Sequence, residues 1–128
     1  MLLCYLLGST PELLAKNKPN LFGHILENFV FNELLKLNHN ELKNVDISFY
    51  RTSDGREVDF ILEKNHKIAA VEVKFAENIT EKDLKGIKEL KKEIGDDFVC
   101  GIILCNTSRV ISFDDDIYLV PFSALWNS

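Results

Sequence analysis

Residues Glu57–Lys74 read EVDFILEKNHKIAAVEVK. Two segments rich in β-branched and aliphatic residues flank Asn65-His66, a dipeptide suited to a tight turn. The pattern predicts a β-hairpin with strands over 57–63 and 68–75. A two-residue loop fixes its register, placing Asp59 opposite Glu72 and Glu57 opposite Lys74. Side chains alternate along a strand, so Glu57, Asp59, Glu72 and Lys74 are expected on one face. Val58, Phe60, Val71, Val73 and Phe75 are expected on the other, packed face.

Two carboxylates set directly opposite each other repel. A hard divalent cation removes that repulsion, and Mg²⁺ is commonly held by one or two carboxylates plus waters and phosphate oxygens. Asp59 and Glu72 are therefore candidate metal ligands. Such a metal lowers the pKa of a bound water and stabilises charge on a scissile phosphate. Lys74, one strand repeat beyond Glu72, is placed to orient that water or to stabilise the phosphate. The plainer alternative is a solvated hairpin face, with Glu57 and Lys74 forming a surface ion pair of small value.

Upstream of the hairpin, Phe22, Ile25, Leu26, Phe29, Val30, Leu34 and Leu37 recur at helical spacing over residues 21–37. Glu27 lies on the flank of this stripe and Glu33 near its middle. Glu33 either turns toward the site or is satisfied inside the core. Val45–Arg51 reads as a first strand, joined to the second through Asp54-Gly55. Thr10-Pro11-Glu12 carries the marks of an earlier helix start, with Pro19-Asn20 as a chain break. Residues 1–20 thus read as a helical remnant leading into a domain over 21–128.

Downstream, Thr80 caps a helix with apolar positions Leu84, Ile87, Leu90 and Ile94, ending near Gly95. Phe98–Leu104 is a continuous apolar run, as in a strand buried on both faces. Ile111–Val120 suggests short strands around the acidic tip Asp114-Asp115-Asp116, and Pro121–Trp126 a short closing helix. The order is α-β-β-β-α-β with extensions. The class is α/β, with a mixed central sheet flanked by helices and the fourth strand parallel to the third.

Composition sets outer bounds. The chain has 128 residues, and 46% of them are apolar, enough for one domain with a core. Its net charge of −5 argues against a broad basic surface coating nucleic acid, though not against a local site neutralised by a cation. Cys4, Cys100 and Cys105 form no metal-binding spacing, which points to free thiols and a cytoplasmic setting. The opening MLLCYLLG is too short to span a membrane. His24, Arg51 and Arg56 are weaker site candidates, while His39 and His66 read as surface residues. The acidic tip reads as a turn, and Phe122 and Trp126 as anchors.

The run GHILENFVxxEL (Gly23–Leu34), FYRxxxGREVDF (Phe49–Phe60) and AVEVK (Ala70–Lys74) resembles the C-terminal domain of unknown function found on bacterial and archaeal AAA-type ATPases. The same residues resemble the core of the PD-(D/E)XK, or restriction-endonuclease-like, superfamily. That superfamily carries an acid on its first helix, an Asp on its second strand and ExK on its third. Glu27, Asp59, Glu72 and Lys74 match those places, and Val58 stands where the pattern has proline. The resemblance implies a catalytic set of these four residues. It also implies a Mg²⁺ (or Mn²⁺) cofactor, nucleic acid as substrate, and an ATPase module in the same longer chain. The sequence itself holds no GxxxxGK[ST]. Self-association is compatible with these residues. The alternative reading is a catalytically inactive nuclease fold that binds or regulates its ATPase.

Overall fold

Pairing across Asn65-His66 follows the expected register: Lys64 faces Lys67 and Phe60 faces Val71. Both turn residues have positive φ, 53° and 68°, the conformation a type I′ turn demands. The computed structural model describes residues 13, 16–37, 44–51 and 57–125.

Helix α1 spans Pro19–Leu37. Strands β1 (Asp46–Arg51), β2 (Glu57–Lys64) and β3 (Lys67–Val73) form an antiparallel meander. A single 3₁₀ turn, Glu81–Leu84, runs into helix α2, Lys85–Ile94. Strand β4 (Phe98–Cys105) returns parallel to β3. Strands β5 (Ile111–Asp114) and β6 (Ile117–Pro121) form a hairpin, with β6 parallel to β4. The six-stranded mixed sheet has the order β1-β2-β3-β4-β6-β5. The expected α/β class and element order therefore hold.

The two helices cover opposite faces. Val30 and Leu34 of α1 pack with Phe60, Val71 and Leu104. Ile87 and Leu90 of α2, with Leu84 just before them, pack with Val58, Ile61, Ala70, Ile103 and Ile117. Ile103 and Leu104 divide between the two cores, as alternation along a doubly covered strand requires. Val99, near the start of that strand, is nevertheless exposed. Helix α2 ends at Gly95, whose φ of 74° suits glycine and whose N–H donates to the Lys91 carbonyl.

Four expectations need correction. The chain break falls at Lys18, just after helical Asn17, and Pro19 is already the first residue of α1, where its fixed φ is helical and its missing N–H costs nothing. Strand β3 stops at Val73, so Lys74 and Phe75 lie just beyond it. Val58 does not share a face with Phe60: it belongs to the α2-side core and Phe60 to the α1-side core. In place of the expected closing helix, Pro121 ends β6 and Phe122–Leu125 form a 3₁₀ turn, with Trp126 outside the described residues. The opening apolar segment with Cys4, the Thr10 helix start, His39, and the Asp54-Gly55 turn with Arg56 also lie outside them. Cys100 and Cys105 are free thiols. No helix among the described residues is long and apolar enough to cross a membrane.

Helix α2 sits close enough to β2 that only glycine fits at one contact. A Cβ on Gly86 would lie 2.5 Å from the Glu57 carbonyl oxygen. Alanine is the better helix former by about 1 kcal/mol, but this clash is with backbone. Gly86→Ala is therefore expected to destabilise the protein by roughly 1–3 kcal/mol. Gly23→Ala on α1, which meets nothing within 4 Å, is expected to stabilise it by under about 1 kcal/mol. Denaturant unfolding of both variants checks the opposite signs.

Candidate functional site

The site begins at an irregularity in β2. Ser48 pairs with Ile61 and Tyr50 with Val58, so Phe49 of β1 stands against two residues, Asp59 and Phe60. This is a β-bulge, which breaks alternation and re-aims side chains. It explains why Val58 and Phe60 part to opposite cores. Asp59 lies at this break, and its carboxylate reaches across to β3. The Val73 N–H donates to Asp59 Oδ2 at 2.7 Å, just past the last regular pair, Phe60 and Val71.

Four other charged residues meet Asp59 in one cleft of about 380 Å³: Glu27, Glu57, Glu72 and Lys74. Phe22, Leu26 and Phe75 form its apolar wall. Glu27 is half-buried on α1, and its charge adds to the electrostatic load on Asp59. Glu72 is the penultimate residue of β3. The Lys74 amide donates to the Leu104 carbonyl at 2.8 Å, continuing the β3–β4 pairing by one bond. Glu57 and Lys74 form no pair of their own: Glu57 binds Arg51 at 3.0 Å. Lys74 Nζ donates to Asp83 Oδ1 at 2.5 Å.

Asp83 is the residue that sequence reasoning missed. It lies in the 3₁₀ turn ahead of α2, and its Oδ2 accepts the Thr80 N–H at 3.0 Å. A Thr-x-x-Asp pattern at a helix start carries this signal, because the third-position acid reaches back to the cap amide. The sequence did not say that the other oxygen would take Lys74.

Electrostatics mark the two predicted metal ligands. Burial, set against the Val73 hydrogen bond and reinforced by Glu27 and Glu57, raises Asp59 to about 6. Burial and then the charge of Asp59 push Glu72 up to about 8, with Lys74 pulling the other way. The Lys74 hydrogen bond, followed by that from Thr80, holds Asp83 below the usual carboxylate range. Among the described residues, no three His, Cys, Asp or Glu side chains are gathered into a ready metal cage. The cleft offers a pair of carboxylates whose charges are poorly compensated.

Other candidates stay apart from this cluster. Glu33 pairs with Lys36 at 3.3 Å, one helical turn along α1. His24 is exposed on α1 and does not line the cleft, and His66 occupies the β2–β3 turn. The acidic tip is the β5–β6 turn, neutralised from α2 by Lys88 to Asp114 at 2.8 Å and Lys91 to Asp116 at 3.6 Å. Phe122 packs against Phe75, ring centroids 6.3 Å apart, and supports the cleft wall.

Residues 22–125 match the family described as a domain of unknown function (DUF4143), and the chain belongs to that family. No curated protein matches the chain.

A carboxyl with a raised folded-state pKa holds a proton that the unfolded chain has already released. Its stabilising effect is complete at low pH and is lost as pH rises through the folded value. For Glu72 the window runs from 4.5 to about 8, and for Asp59 from 3.8 to about 6. In chelator, stability is expected to fall across the upper window at up to about 1.4 kcal/mol per pH unit per proton. Glu72→Gln is expected to flatten the decline between about pH 6 and about pH 8. Denaturant titrations across that range measure the difference. Equal slopes for the two proteins contradict the assignment.

Proposed function

We propose that this member of the family is a PD-(D/E)XK nuclease-like domain. In this reading it hydrolyses phosphodiester bonds in nucleic acid with Mg²⁺ or Mn²⁺, and works as the C-terminal part of a chain bearing an AAA-type ATPase module. The observation that carries the reading is convergence: Glu27, Asp59, Glu72 and Lys74 line one cleft. The α-β-β-β-α-β order with β4 parallel to β3 agrees with that core.

The donor set fits a hard cation. The cleft presents carboxylate oxygens and no His or Cys. Burial raises Glu72 most and repulsion from Asp59 next, and a cation between the two carboxylates would relieve that repulsion. When bound, a divalent cation supplies Lewis acidity toward water and a phosphate oxygen. The chain's own residues supply position. Asp59 lines the cleft and is anchored there by the Val73 amide, which fixes one carboxylate oxygen. Lys74 gives one N–H to Asp83 and keeps two for a water or a phosphate oxygen. Glu27, on α1 beside Asp59 in the cleft, is placed to orient the attacking water. In the overall reaction the water oxygen bonds to phosphorus as one P–O ester bond breaks. The products are a phosphomonoester and a hydroxyl end.

One observation favours a second reading. Asp59 and Lys74 each have a structural partner, Val73 and Asp83. Side chains occupied in this way also suit a catalytically inactive fold that binds or regulates its ATPase.

Asp59→Asn keeps an acceptor for the Val73 amide and removes the charge. It is expected to weaken Mn²⁺ binding at least about tenfold in titration calorimetry, since even groups that only support a metal ligand typically cost that much when lost. Absence of cation binding by the wild type would falsify the nuclease reading. Lys74→Met is expected to lower oligonucleotide cleavage by about 10²-fold or more while leaving Mn²⁺ affinity nearly unchanged. Undiminished cleavage by this variant removes Lys74 from the mechanism.

A further inference from the structure

A second groove, of about 450 Å³, adjoins the carboxylate cleft and shares Glu27, Glu57 and Asp59 with it. A ligand with a charged group at the carboxylates can therefore continue into this groove. Part of its wall is aromatic. Buried Phe60 and half-buried Phe31 stack with ring centroids 5.9 Å apart and planes 14° apart. Phe49 completes the triangle, 5.9 Å from Phe60 and 6.4 Å from Phe31.

Phe49 is 73% exposed. It sits on edge strand β1, opposite the bulge that aims Asp59. Core packing does not account for a phenyl ring with so much of its surface in water. Two neighbouring rings hold it in place, and its free surface lies beside the acidic residues. That arrangement is a stacking surface.

The groove also carries a cation. The Arg51 side chain is itself 73% exposed and pairs with half-exposed Glu57 at 3.0 Å. An ion pair this exposed is weak and readily exchanged. The guanidinium can move to a phosphate with bidentate geometry. Asn28 of α1, exposed on the same groove, offers an amide that both donates and accepts.

We infer that Phe49 is a stacking platform for an unpaired nucleobase, and that the groove takes single-stranded nucleic acid running into the Asp59–Glu72 cleft. The inference rests on the nuclease reading above. Bases in a duplex are stacked on one another and have no free face for the ring, whereas an unpaired segment has one. Its phosphates also match Arg51 and, with a cation, the carboxylates. A protein partner fits less well, because cores of protein interfaces are depleted in charge and this groove holds Glu27, Glu57, Asp59 and Arg51.

The test is fluorescence anisotropy with labelled single-stranded DNA and RNA, and with a duplex of the same sequence, each in Ca²⁺. Single strands are expected to bind more tightly than the duplex, and the DNA and RNA arms identify the preferred sugar. Phe49→Ala is expected to weaken single-strand binding about tenfold. Phe49→Trp is expected to retain affinity and to show indole quenching on binding beyond any change in the wild type. Equal single-strand affinities for wild type and Phe49→Ala overturn the platform. So does a duplex bound as tightly as the single strand, and in either case the nuclease reading stands. Failure of the wild type to bind any oligonucleotide also overturns the inference; cation titration at Asp59 then decides whether the nuclease reading falls with it.

Discussion

Just beyond the last regular β2–β3 pair, a side chain takes over the role of a backbone acceptor. The hydrogen bond from the Val73 amide to the Asp59 carboxylate, 2.7 Å long and half-buried, fixes the position of the candidate site. A hydrogen bond to a charged group is worth about 1.5–3 kcal/mol. Here it is outweighed by burial and neighbouring acids, since Asp59 still titrates near 6 rather than near 4. The bond determines where the carboxylate points. Its burial determines that the charge is costly there, and the sum is a site that favours either a proton or a cation.

The rest of the fold holds that junction from several sides. The bulge in β2 sends Val58 to the α2-side core and Phe60 to the α1-side core, so both helices grip the strand that carries Asp59. Helix α1 brings Glu27 onto the cleft while burying Leu26 and Val30 on either side of it in sequence. The turn ahead of α2 ties Asp83 to Thr80 and to Lys74 at once, so the helix start and the site lysine share one carboxylate. The close approach of Gly86 to the Glu57 carbonyl keeps α2 against β2.

Much of this was legible in the sequence because a two-residue turn leaves little freedom. Asn65-His66 fixed the hairpin register, and the helical stripe from Phe22 to Leu34 placed Glu27 near it. The bulge was not legible. Strict alternation over residues 57–63 contains no mark that the neighbouring strand will offer one residue against two, so Val58 was expected on the wrong face. The Lys74–Asp83 pair is tertiary and depends on how the segment after β3 folds back, which no local pattern encodes. The exposed ring of Phe49 was hidden for a different reason. A phenylalanine in a strand reads as core until the sheet order places it on an edge.

Hydrolysis at this site therefore depends on whether the Asp59–Glu72 cleft takes a cation. The most direct measurement is a crystal of the domain soaked in Mn²⁺ near neutral pH, with anomalous data collected at the manganese edge. A metal site there gives one strong anomalous peak coordinated by Asp59 and Glu72, with Lys74 and Glu27 alongside. A well-ordered cleft with no anomalous peak at these carboxylates contradicts it.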